Sequence, residues 1–429
     1  MTKRQDQAAT KARKAVASCD SVTALTSEDA WRKATFEGND FVTTNDLEPY
    51  DGVIEQERAV RALELGLSIQ RKNFNVFMAG YSGTGRTTVV RSILEGVAPK
   101  RAVPGDWAYV NNFETMDFAR SLSFGAGRAR VFQRELRTLI EALMKEIPQA
   151  YHSKEHQQQV QRVLSQSATK ETEAFAKLSE AAEKRGFAIR ATKTGLVTLP
   201  IIDGEPCSSV ELQELPSNEL AKIEKQREKV EPSISAYLEK SRRIQLATHA
   251  KIEEVQEKLG RRILKPAFGK IRRRWKRNEK VVVFLDSIQA DILEHLGSFL
   301  TDETDEHIHA AREEIKQRYD VNIVVDHTDS NGAPVIVENH PTFFRLFGKV
   351  EKRVVQGVLS TDISLIRAGS IAKANGGFLV LNSADLFSHP LVWENLKAVL
   401  RSGEVTIEDM AEQAAFVPTS GLRPEPIPV

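Results

Sequence analysis

The stretch Gly80 to Thr87, GYSGTGRT, most constrains what this chain can fold into. It follows an apolar, strand-like run, Phe74 to Ala79, and precedes a helix-like run, Thr88 to Glu95. Strand, glycine-rich turn and helix in that order form the context of a phosphate-binding loop. Gly80, Gly83 and Gly85 let backbone N–H groups approach phosphate oxygens that side chains would block. The positive end of the helix points at the same place. Ser82, Thr84 and Thr88 complete the expected phosphate contacts, and Thr87 stands where an Mg²⁺-ligating hydroxyl belongs. Arg86 occupies the position where lysine is usual; it keeps the charge but spreads it over a flat fork.

The chain has 429 residues, enough for two or three domains. Its formal net charge of +1 gives no global attraction to nucleic acid or anionic membrane. The longest apolar runs, such as Val281 to Leu285, are far too short to span a bilayer. The N-terminus lacks an apolar signal-peptide core. The two cysteines, Cys19 and Cys207, read as reduced thiols of a cytoplasmic protein.

Residues 1–40 read as a polar tail. A helix with Val60, Leu63, Leu67 and Ile69 on one face comes before the glycine-rich loop, and a strand at Trp107–Val110 after its helix. From about 125 the chain turns charged and Gln-rich. Leu136, Leu139, Ile140, Leu143 and Ile147 make one helical stripe; Leu164, Ala168, Phe175, Leu178 and Ala182 make another, with Pro148 between them. The runs 187–190 and 196–202 predict a hairpin, with Asp203-Gly204 as the next turn, and 217–260 return to charged helix. A coiled-coil arm with a small β tip and a compact helical bundle both fit this pattern. Further helix is expected over 278–300, and strands at 321–325 and 334–337.

A second apolar strand, Gly376 to Leu381, leads into Asn382-Ser383-Ala384-Asp385. An acidic pair there would organise Mg²⁺ and polarise an attacking water. Asn382 carries no charge and Ser383 is not a base, which leaves Asp385 as the nearby acid. Three other constellations stand out. His152 and His156 fit an H-x-x-E-H pattern, but two imidazoles do not make a zinc site and Gln neighbours suggest a solvated helix. Arg261 to Lys280 holds ten basic residues around Trp275, a pattern that suits either phosphate and base contacts or a solvated face. Phe343, Phe344 and Phe347 fit the core better than a substrate-gripping loop.

Several separated segments, in order, resemble the AAA+ ATPase module of Lon-related ATP-dependent proteases of the LonB/LonC type. They are GYSGTGRT, DWAYVNNF (106–113), ENHPTFFRLFGKVE (338–351), ISLIRAGSIAKANGGFLVLN (363–382) and SGLRPEPIPV (420–429). The resemblance covers 45–429. It implies an α/β fold: a P-loop core, with a parallel sheet and flanking helices, split by a long helical insertion. The core halves are expected at 41–114 and 350–429, and the insertion at 115–349. ATP and Mg²⁺ are the implied cofactors, with Ile54 in the stretch beside adenine. Unfolded or damaged proteins are the implied substrates, and a homo-oligomeric ring, a hexamer by resemblance, the implied assembly. DNA contact through 261–280 is conceivable on the same ground. Asn382 stands where the family has an acid, which puts hydrolysis in question. In the family the sensor strand, lid and Ser-Lys protease domain would follow Val429. The sequence is therefore expected to be the ATP-binding, substrate-handling part of such a protease; a hydrolysis-deficient scaffold is the alternative.

Overall fold

The computed structural model describes residues 26–28, 31, 41–48, 56–69, 71, 74–81, 83–192, 195–202, 205–207, 216–300, 307–355, 358–407 and 421–429. The chain divides into two compact units, 1–58 and 59–429. In the first, the Asp46 carboxylate accepts the N–H groups of Val42 and Thr43 at 3.0 and 2.8 Å and closes a single 3₁₀ turn, Thr44–Asp46.

The second unit is mixed α/β, with helix predominant among the described residues. Helix α1, Glu57–Ser68, buries Leu63. Helix α2, Arg86–Val97, begins directly after Gly85. Strand β1, Asp106–Val110, pairs antiparallel with β2, Phe118–Phe124, and on its other edge with β6, Val321–Val325. The link between β1 and β2 is too short for a crossover, so the antiparallel arrangement is forced. A short strand near the C-terminus, Arg423–Pro424, joins β2 in parallel and completes a four-stranded sheet.

Helix α3, Arg128–Tyr151, lies against this sheet and buries Phe132, Leu136, Ile140, Leu143 and Ile147. That stripe follows the i, i+3/i+4 rhythm that the sequence displays. Its partners are Leu264, Phe268 and Trp275 of α5, Ser217–Trp275, and Phe284, Leu285 and Ile288 of α6, Glu279–Glu294. Asp106, fully buried, accepts Ala129 N–H at 3.0 Å in the first turn of α3 and His327 N–H at 3.0 Å. One carboxylate thus ties strand, helix and the loop after β6 together, where the helix dipole favours an anion.

Pro148 lies inside α3 and does not end it. The break comes at Ser153, whose side chain accepts His156 N–H and caps α4, Lys154–Glu183. A proline in the last turn removes one hydrogen bond, whereas a capped serine starts a new helix. α4 runs antiparallel to α5, Ser217–Trp275, as successive cross-contacts show: Glu155 with Arg262, Ser167 with Thr248, Glu171 with Ser241, Phe175 with Tyr237. At the far end β3, Phe187–Thr192, and β4, Gly195–Ile202, form the expected hairpin, extended by β5, Glu205–Pro206. Residues 193–194 and 203–204, the two turns, lie outside the described residues.

A second core gathers the C-terminal elements. β7, Val335–Glu338, pairs in parallel with β12, Phe378–Leu381. β8, Gly348–Val350, pairs with β11, Ile366–Ala368. Helix α11, Pro390–Ser402, buries Val392, Leu396 and Val399 and ends at Gly403, whose φ of 73° suits glycine. Leu346 and Phe347 of the short helix Phe343–Phe347 are core residues, while Phe344 is exposed.

Two expectations need correction. The run 74–79 has no regular secondary structure and pairs with no strand among the described residues, and Phe77 is 76% exposed. A strand is a property of its neighbours, and this run has none. The broad parallel sheet is likewise not seen among the described residues: their parallel pairs are β7–β12 and β2 with Arg423–Pro424, and β1 is antiparallel on both edges.

Candidate functional site

The glycine-rich turn enters α2 through left-handed backbone at Gly83 (φ 83°) and Gly85 (φ 74°), which side chains rarely adopt. Val89 N–H donates to Gly85 carbonyl at 2.9 Å, so the first turn of α2 is formed. Thr84 hydroxyl donates to Tyr81 carbonyl at 2.8 Å and closes the loop on itself. Gly80 faces the Arg86 side chain, and a Cβ there would lie 3.3 Å from Arg86 Cδ. Arg86 is half-buried; Thr87 and Thr88 are exposed.

The second part of the site lies at the carboxyl ends of β7 and β12, where Glu338 is in register with Leu381. β12 starts from two close approaches. A Cβ on Gly376 (φ 74°) would lie 2.6 Å from Pro104 Cβ, and one on Gly377 would fall on the Pro334 carbonyl oxygen. Phe378 N–H then donates to that carbonyl at 2.8 Å. The Asn-Gly-Gly sequence before the strand therefore has a steric reason. At the other end Asn382 Oδ1 accepts Ala384 N–H at 3.1 Å, capping the short helix Ser383–Phe387 that carries Asp385. Asn382 is thus a helix cap, a role for which asparagine is well suited.

Arg86, Thr87, Asn382, Ser383 and Asp385 border one cavity of about 1240 Å³. The run Phe74–Met78 forms one wall and β12 another. Gly80, Gly83, Thr84, Gly85 and Thr88 are not among its lining residues. Ile54 and Ser82 lie outside the described residues. Arg71, Lys100 and Arg101 add positive charge to the lining, opposed by Glu338 and Asp385. Four cationic against two acidic side chains give a field suited to a polyanion. Arg101 sits over the Phe378 ring, 4.5 Å from its centroid, and donates to Leu67 carbonyl.

Sequence reasoning missed Glu338, Arg101 and Lys100 as lining residues. The signal for Glu338 was present, an acid closing an apolar strand. Its side chain accepts Ser370 hydroxyl at 2.8 Å, His340 N–H at 3.0 Å and Arg345 at 3.4 Å. Burial pushes this carboxyl up, but the hydrogen bonds from His340, Ser370 and Arg345 outweigh it and hold it below the usual glutamate value.

The other constellations resolve as structure. His152 bonds Pro148 carbonyl through Nδ1, His156 is buried beside Tyr151, and no metal-ligating cluster occurs among the described residues. Trp275 is only 7% exposed, donates to Glu135 at 2.9 Å and packs edge-on against Phe124 and Phe132, so it is no platform for a base. Around it Arg261, Arg262, Arg272, Arg274 and Lys280 pair with Glu257, Glu155, Asp286, Glu135 and Glu425. Cys207 is buried, and no described helix is long and apolar enough to cross a membrane.

No curated protein matches the sequence significantly. Residues 331–429, which hold β7, β12 and the Asn382–Asp385 turn, match the family model described as LonB-like, AAA domain. Residues 106–139, from β1 into α3, match the Lon-like LonC helical domain. These two matches support a Lon-related chain with an AAA-type domain.

Proposed function

We propose that the cavity between α2 and β12 binds ATP with Mg²⁺, and that the chain is the ATP-binding, substrate-handling part of a Lon-like ATP-dependent protease. The observation that carries this reading is that Arg86 and Thr87, at the start of α2, border the same cavity as Asn382 and Asp385, at the end of β12. The residues fit a triphosphate. The helix start offers N–H groups free of intrahelical partners, and the glycines leave room at Gly83 and Gly85, where a Cβ would meet nothing within 4 Å. Arg86 would pair with the outer phosphates, and the Thr87 hydroxyl with Asp385 would hold the metal shell. Bound Mg²⁺·ATP would supply a polarised γ-phosphoryl group. The chain's own residues position it: Arg101 and Phe378 close one wall, and Glu338 fixes the turn that carries Asn339, which lines the same cavity as Asn382.

Around this site the antiparallel pair α4–α5, with its β3–β4–β5 tip, would guide unfolded polypeptide, and the assembly would be a ring of identical chains. The capping role of Asn382 favours a second reading in the same site, a nucleotide sensor that hydrolyses slowly. A carboxylate there would be needed to organise metal and water at full rate. Measuring Mg²⁺-dependent ATP affinity and turnover in wild type, Arg86→Ala and Asn382→Asp separates them. A motor loses binding and turnover in Arg86→Ala. A sensor binds ATP without turnover and gains it in Asn382→Asp. Absence of binding in all three refutes both.

A further inference from the structure

The middle of the helical pair carries charge of one sign. Between His156 and Lys170 on α4 and between Lys240 and Ile252 on α5 there is no Asp or Glu, yet there are six Lys and Arg: Arg162, Lys170, Lys240, Arg242, Arg243 and Lys251. The antiparallel register brings the two stretches together, with Ser167 Oγ and Thr248 Oγ1 in a hydrogen bond of 2.6 Å between them. Elsewhere on the pair several cations have an acidic partner, as in Lys184–Glu180, Lys258–Glu254 and Arg261–Glu257. In the belt only Arg243 has such a partner, Glu239; the other five have no ion pair among the described residues. Lys170, Lys240, Arg243 and Lys251 surround a groove of about 190 Å³ over the Ser167–Thr248 contact.

We infer that this belt is a docking surface for an acidic, leucine- or similarly apolar-containing segment of polypeptide. Unpaired like charges a turn apart repel, and an acidic partner relieves that repulsion. Two exposed leucines in the same stretches, Leu164 (43% exposed) and Leu246 (64% exposed), select between polyanions. They offer nothing to phosphates but can bury apolar side chains. The belt has no Phe, Tyr or Trp to stack a base: its exposed imidazole, His249, lies 3.1 Å from the Glu253 carboxylate, and the neighbouring pair Phe175–Tyr237 packs on itself at 5.9 Å. The partner is therefore a peptide with carboxylates spaced among apolar residues. This inference names the substrate class within the proposed function and rests on the chain handling polypeptide, but it does not require nucleotide.

The test uses the full chain without nucleotide and a fluorescein-labelled unstructured peptide of Asp, Glu, Leu, Ser and Gly, read by fluorescence anisotropy. Binding should weaken with salt and be lost when Asn and Gln replace the acids of the peptide. Lys170→Gln/Lys240→Gln/Lys251→Gln should weaken binding by about tenfold, three exposed pairings together. Leu164→Ser/Leu246→Ser should also weaken it, while Lys222→Gln/Lys225→Gln/Lys229→Gln on the same helix should not. Circular dichroism checks that the exposed substitutions leave the helices intact. No peptide binding, equal loss in both lysine triples, or tighter binding of an oligothymidylate or polyphosphate unaffected by the leucine changes would overturn the proposal. Arg86→Ala should bind peptide normally, so a failure of the ATP site and a failure of the belt are told apart.

Discussion

The Arg101 guanidinium lies 4.5 Å from the centre of the Phe378 ring while it donates to the Leu67 carbonyl. One side chain thereby joins the end of α1 to the first residue of β12 across the wall of the cavity. Arg101→Ala should destabilise the protein by about 1–2 kcal/mol, the worth of a partly desolvated cation–π contact with its hydrogen bond. Arg101→Lys should recover only part, because an ammonium cannot stack flat and donate sideways together. Thermal unfolding of the three proteins checks the order.

Glu338 gives a pH signature. Its carboxyl is held below the usual glutamate value in the folded protein, so its stabilisation is fully present above that ordinary value and fades as pH falls through the lowered one. Glu338→Gln should cost about 1–3 kcal/mol at neutral pH, where a charged acceptor is lost. The gap between wild type and Glu338→Gln in chemical denaturation should close in acid. A gap that is constant with pH would show that the charge is not what matters.

Asp291 is 5% exposed and accepts Arg318 Nε and the Tyr319 hydroxyl, each at 2.7 Å. Burial raises this carboxyl, but Arg318 and Tyr319 more than compensate and hold it below the usual aspartate value. Asp291→Ala leaves the half-buried Arg318 guanidinium at the end of α7, His307–Arg318, without its anion. A loss of roughly 3–5 kcal/mol is expected, as for a broken buried pair, measured by denaturant titration. By the same sign, the wild-type contribution persists above the ordinary aspartate value and is lost as pH falls through the lowered one.

Gly377→Ala should be disproportionately harmful for one methyl group. The added Cβ meets the Pro334 backbone carbonyl, which also accepts Phe378 N–H. Relief requires moving β12 away from β7, at a cost of about 1–3 kcal/mol. Gly96→Ala, whose added Cβ meets nothing within 4 Å and which sits in helix α2, should instead be neutral or slightly stabilising.

Local signals were legible in the sequence. The stripe from Leu136 to Ile147 and the hairpin 187–202 appear where periodicity places them, and Gly85 and Gly403 flank helices as expected. What was not legible depended on distant partners. The run 74–79 has strand composition, but no strand among the described residues supplies its hydrogen bonds. The basic run around Trp275 suits either a phosphate-binding or a solvated face in sequence, and the acids that pair with Arg272, Arg274 and Lys280, namely Asp286, Glu135 and Glu425, come from other elements. Asn382, which stands where an acid is expected, also caps the next helix through its side-chain oxygen, a contact that a single sequence does not display. Glu338 enters the site only through the register of β7 with β12, which a single sequence does not display.

The most direct test of the central claim is Mg²⁺-dependent binding of a fluorescent ATP analogue to wild type and Arg86→Ala. The account predicts saturable binding that weakens at least about tenfold in Arg86→Ala, since a charge-assisted phosphate contact is worth some 1.5–3 kcal/mol. Equal affinity in the two proteins, or no binding by wild type, would contradict it.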